Sequence, residues 1–174
     1  MTRKIEYHPL AGGEDYARFL IGELKPMIDA RYRTLPDARH TGTMGSSAGG
    51  LVSIGLGWRH PDVFTRIGAL SAHLAPIGEK QRRGDSRLGI LDAIDALGPL
   101  DPALRIYVDR GDDEIDSQYA PHHERLRQML IGWGRAEGRD FTIQAFQNAR
   151  HTEADWRKRL DVPLEFLYGE LVDK

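Results

Sequence analysis

Thr41-Gly-Thr-Met44-Gly45-Ser46-Ser47-Ala48-Gly49-Gly50-Leu51 is the stretch on which the fold turns. The residues from His40 to Met44 have the short, extended character of a buried strand. Leu51 to Arg59 read as a helix, stopped by Pro61. Between them lies Gly45-Ser46-Ser47-Ala48-Gly49, a G-x-S-x-G pattern. On a sharp strand-to-helix turn, small residues two before and two after the serine let the backbone fold back on itself. The serine is then held in a strained conformation at the strand's C-terminal edge, with its hydroxyl exposed at a helix N-terminus. A Gly/Ser-rich phosphate loop or a plain turn is the plainer alternative.

Further along, the chain alternates strands and helices. Arg66-Ile-Gly-Ala-Leu-Ser-Ala, Leu104-Arg-Ile-Tyr-Val-Asp and Phe141-Thr-Ile-Gln-Ala-Phe read as a second, third and fourth strand. Helical periodicity runs from Glu14 through Ile28, with a bend expected at Pro26 because proline has no N–H to give. A short helix is expected over Leu88 to Leu97, a long amphipathic one from Ser117 to Ala136, and a last one from Thr152 toward Leu171. This order predicts an α/β fold, a parallel sheet with helices on its faces. Residues 1–13 read as a polar leader and 14–174 as the folded domain. Residues 75–98 are expected to roof the site, with Leu88, Ile90, Leu91 and Leu97 either lining it or packing the core.

The totals exclude several classes. The 174 residues suit one domain with one core. A net charge of -2 gives no field that would draw the chain to nucleic acid or an anionic membrane. Without cysteine there is no disulfide, thiolate nucleophile or Cys-ligated zinc. No apolar run is long enough to span a bilayer, and the N-terminus lacks the apolar core of a signal peptide. A soluble, cytoplasmic protein is expected; a serine acyl-enzyme cycle closed by water would need neither cofactor nor metal.

A serine hydroxyl needs a base. His151 follows the fourth strand and precedes the last helix, which favours it over His8, His40, His60 and the pair His122 and His123. His73, after the second strand, is expected to pack. The acid should come from the loop after the third strand, Asp109-Arg-Gly-Asp112-Asp113-Glu114-Ile-Asp116. Spacing alone does not choose among these carboxylates. Ala48 is positioned to offer its backbone N–H to an oxyanion.

Several stretches together carry a family likeness: Glu23 to Thr34, Met44 to Leu51, His60-Pro-Asp-Val-Phe64, Ile106 to Gly111, Ile115-Asp116 with Tyr119, and His151 with Trp156. The chain resembles the bacterial esterase family of α/β-hydrolases that includes enterochelin-esterase-like proteins, S-formylglutathione hydrolases and feruloyl esterases. The likeness runs from about residue 14 to residue 169. It implies Ser47 as nucleophile, His151 as base and Asp116 as first choice of acid, with Asp113 and Glu114 still open. Asp112 stands where many relatives carry threonine. It also implies a small-molecule ester substrate and a Ser-His-Asp acyl-enzyme mechanism, or acyl transfer by the same machinery. Relatives carry further strands ahead of the helix that begins near Glu14. The expectation is therefore a partial hydrolase sheet whose exposed edge is covered by a second copy, or else a non-catalytic remnant serving as a binding or dimerisation module.

Overall fold

A computed structural model describes residues 13–74 and 90–172. The expected leader, apart from Gly13, lies outside the described residues, as do the polar loop after Ala75 and Leu88. The first helical segment comprises α1 (Gly13–Phe19), a π turn (Leu20–Leu24) and α2 (Lys25–Arg31). Pro26 sits in the first turn of α2, and the π turn ahead of it absorbs its missing N–H as a change of register. A 3-10 turn, Ala38–His40, leads into β1 (Gly42–Ser46), two residues later than the alternation of apolar residues suggests.

Three strand-helix units follow: α3 (Ala48–Arg59) with β2 (Arg66–Leu70), α4 (Ile90–Leu97) with β3 (Arg105–Gly111), and α5 (Glu114–Ser117) with α6 (Ala120–Gly132) and β4 (Phe141–Phe146). α7 (Glu153–Lys158) and α8 (Asp161–Val172) complete the order. The four strands form one parallel sheet in sequence order, β1-β2-β3-β4. The α/β class read from the sequence is the observed one.

Strand alternation assigns the two faces. Ile67, Ala69, Ile106, Val108, Phe141 and Ile143 pack in one core with Leu51, Ile54 and Trp58 of α3, Ile90, Leu91 and Ile94 of α4, and Leu126 and Leu130 of α6. Ile90 and Leu91 are thus core residues, not lining, while Leu97 is exposed. The opposite face receives α8 against β2 and β3, with Tyr107 beside Phe166. All-buried Arg66–Leu70 reflects a strand covered on both sides, as parallel sheets require.

The helix expected over Ser117 to Ala136 is observed unbroken but shorter, as Ala120–Gly132, preceded by the short α5 that carries the buried Asp116. The last expected helix is broken. Arg159 and Leu160 separate α7 from α8. Arg159 is 3% exposed, and its guanidinium is pulled into the protein by Asp109.

Candidate active site

All four non-glycine residues with positive φ among the described residues lie just past the C-terminal end of a different strand. Ser47 (φ 55) follows β1, Ser71 (φ 45) follows β2, Glu114 (φ 48) follows β3 and Asn148 (φ 56) follows β4. Such conformations each cost about 1–3 kcal/mol and persist only where surrounding contacts hold them. In open parallel sheets this rim is where ligands bind.

Ser47 stands between β1 and α3. A Cβ on Gly45 would come within 2.6 Å of the Gly49 carbonyl carbon, so only glycine admits the backbone crossing that makes the elbow. The turn is tied to its neighbour by Ser47 N–H donating to Leu70 O at 2.9 Å. His73 N–H reaches Ser47 O at 3.5 Å. Ala48 opens α3 and is exposed; its N–H belongs to the first helical turn, whose amides have no acceptor earlier in the helix.

His151 lies between β4 and α7, where Thr152 caps the helix by accepting from Asp155 N–H. The ring is partly buried, and its Nδ1 lies 2.6 Å from Asp116 Oδ1. An ionised carboxylate only accepts, so this contact fixes the neutral tautomer with the proton on Nδ1 and leaves Nε2 free as a base. The edge of the ring meets Trp156, and Tyr119 stands on another side.

Asp116 is wholly buried. Besides His151, its carboxylate accepts from Gly111 N–H at 2.7 Å and from the Ser71 hydroxyl, both at Oδ2. The other candidate carboxylates are elsewhere. Asp113 is partly exposed, caps α5 by accepting from Glu114 N–H, and pairs with Arg150. Glu114 also lies near Arg150, and Asp112 accepts from Asn148 N–H. Of the carboxylates left open by the sequence, the structure brings Asp116 to His151 and turns Asp113 toward the loop surface.

Behind Asp116 lies a second buried carboxylate that sequence reasoning left in its strand. Asp109 accepts from Arg159 Nε (3.1 Å) and Nη2 (3.0 Å), from Ser71 N–H (3.0 Å) and from the Tyr107 hydroxyl (3.0 Å). Burial pushes the Asp109 carboxyl up, and the Arg159 fork opposes that push. His73 Nδ1 lies 3.1 Å from the Tyr119 hydroxyl, at the same rim. His123 is buried against Ala72 O, and burial brings it down to about 4, so it is neutral. Ser71, Arg159 and Asp109 are spread over 50 and 88 positions of sequence separation. Their only local signal was charge inside strand- and helix-like stretches. No group of three or more His, Asp or Glu able to hold a metal occurs among the described residues.

Known structures share this architecture. The enterobactin esterase of Shigella flexneri solved with enterobactin superposes with a TM-score of 0.75 at 20% identity, covering 97% of this chain and 40% of that one. A ferulic acid esterase gives 0.66 at 21% identity, over 87% of this chain and 60% of the other. The ferulic acid esterase of the anaerobic fungus Anaeromyces mucronatus gives 0.58 at 15%, over 82% and 49%. This chain therefore spans between about two fifths and three fifths of the length of these proteins, and at such identities the likeness is one of fold. No curated protein sequence matches it. The profile of the family described as Putative esterase matches residues 6–167, and the chain belongs to that family.

Proposed function

We propose that this protein hydrolyses carboxylic esters through an acyl-enzyme on Ser47. The observation that carries the reading is His151 Nδ1 at 2.6 Å from the buried Asp116, on the same rim as a serine at φ 55. Membership in an esterase family supports the substrate class.

The chemistry follows from those groups. Ser47 Oγ attacks the ester carbonyl carbon as its proton passes to His151 Nε2. The resulting imidazolium is held by Asp116, and the oxyanion accepts from Ala48 N–H. Collapse breaks the bond to the alkoxide, which takes the proton from His151. Water then gives a proton to His151 and attacks the acyl-serine, releasing the carboxylic acid and restoring Ser47. The step needs no metal or cofactor.

β1 forms one edge of the described sheet, and along it runs an open groove of about 860 Å³ lined by Leu20, Leu24, Ile28, Met44, Phe64 and Tyr168. A second copy of the chain, pairing β1 with β1 about a two-fold axis, would cover this edge and continue the sheet. The protein is expected to act in the cytoplasm as such a homodimer.

The test is hydrolysis of p-nitrophenyl acetate and butyrate, with light scattering giving the mass. Turnover should fall at least about a thousandfold in Ser47→Ala and in His151→Gln. Equal rates in the folded parent and Ser47→Ala would sink the catalytic reading. A mass of one chain at working concentration would sink the dimer.

A further inference from the structure

We propose that Ser71 is a positioning residue of this site: its buried hydroxyl fixes the orientation and the charge distribution of the Asp116 carboxylate that holds His151. The inference rests on the reading of Asp116 and His151 as acid and base.

Ser71 is wholly buried. Trp156 Nε1 donates to its Oγ at 2.8 Å, and Arg159 Nη2 donates to it at 2.9 Å. Neither group can accept a hydrogen bond, so both lone pairs of the hydroxyl are taken. One hydrogen remains and one acceptor faces it, Asp116 Oδ2. The hydroxyl rotor is therefore locked, with a guanidinium on one side and a carboxylate on the other. That guanidinium is itself anchored by Asp109, which also accepts the Ser71 backbone N–H. At φ 45, Ser71 gives its amide to one buried carboxylate and its hydroxyl to the other.

Other charged or titrating groups surround this cluster. His123 stands on α6 with Tyr119 just ahead of that helix, His73 follows β2, Arg110 is on β3, Asp112 and Asp113 are on the following loop and Glu114 opens α5. Arg150 and Asp155 flank His151. Among the described residues, only Ser71, Gly111 and His151 donate to the Asp116 side chain.

The expected sign follows. Each hydrogen bond given to a carboxylate withdraws negative charge from it. Without the Ser71 hydroxyl, Oδ2 keeps only Gly111 N–H, and Asp116 presents more charge to His151. The imidazolium is favoured, so the ring keeps its proton to higher pH. The carboxylate is also freer to turn, which slows turnover.

The experiment follows the His151 ring by NMR in the full chain with 13C-labelled histidine, using His151→Gln to assign the signal. Ser71→Ala should move the midpoint of the His151 titration upward by about half a unit to one unit. Ser71→Cys keeps a γ-atom that can donate, though weakly and from a larger sulfur, and should move it the same way by less. The acid limb of kcat/KM should follow by the same amount. An unmoved or lowered midpoint in whichever variant folds, even with a lower melting temperature, makes Ser71 a packing residue and overturns the proposal. The NMR signal is read whether or not the chain hydrolyses esters, so this failure is distinct from failure of the catalytic reading.

Discussion

The rim around β3 and the edge along β1 differ in how completely they are finished. At the rim, Asp109, Asp116 and Ser71 are wholly buried, and every side-chain oxygen of these three residues is hydrogen-bonded. Along the edge, Met44 and Leu35 are 40% and 63% exposed. Only the acid follows an interior strand, β3; the base follows β4 and the candidate nucleophile follows β1, the two outer strands of the described sheet. The rim can hold its geometry from within this chain. Ser47 follows a strand that is paired on one side only, with β2.

Four measurements sharpen or break this contrast. The largest effect is expected from Arg159→Met, which leaves Asp109 buried and unpaired. Urea unfolding should show a loss of about 3–5 kcal/mol, and a loss under 1 would mean the rim is not held by that pair. Next is acid. His123 is brought from an ordinary 6.5 down to about 4 in the folded state, so the unfolded chain binds the extra proton between those values. Stability contributed by keeping this ring neutral is fully present above about 6.5 and lost as pH falls toward 4, by about 3 kcal/mol in all. His123→Gln should flatten the stability curve across that window.

Smaller is Ser47→Gly, which relieves the left-handed backbone and should stabilise the fold by about 1 kcal/mol while removing the hydroxyl. A destabilisation would mean that the elbow is not strained. Smallest is Leu35→Ser at the open edge, expected to change monomer stability by less than about 0.5 kcal/mol. A loss beyond about 2 kcal/mol would show that this edge is already packed, and would erase the contrast.

Much of this was legible in the residues. The elbow, the strand that carries it and the histidine after β4 all announce themselves through local chemistry: small residues at fixed offsets, apolar runs, a cap at Thr152. The choice of Asp116 over Asp113 was not legible from spacing, because it depends on which carboxylate a four-residue helix turns inward. Family resemblance ranked Asp116 first, and the structure turns that side chain toward His151. Ser71 and Arg159 left no local trace. Arg159 sits in a stretch with the periodicity of one continuous helix, and only a partner 50 positions earlier makes it a break. A π turn over Leu20–Leu24 ahead of Pro26 had no sequence signal of its own, since proline announces a missing donor and not how the chain absorbs it.

Gly111 has a consequence for how this chain can vary. A Cβ there would overlap the Ala149 carbonyl, so the loop after β3 and the loop after β4 touch backbone to backbone. Asp113 N–H also reaches Ala149 O at 3.3 Å. The Gly111 N–H meanwhile grips the side chain five residues ahead, closing a small ring from Gly111 to Asp116. A ring of that size has a fixed circumference. One residue inserted or deleted between 111 and 116 would open the clasp and separate the two loops together, whereas the connection between α4 and β3 should absorb the same change. Length, more than composition, is what natural variation should leave untouched in that hexapeptide.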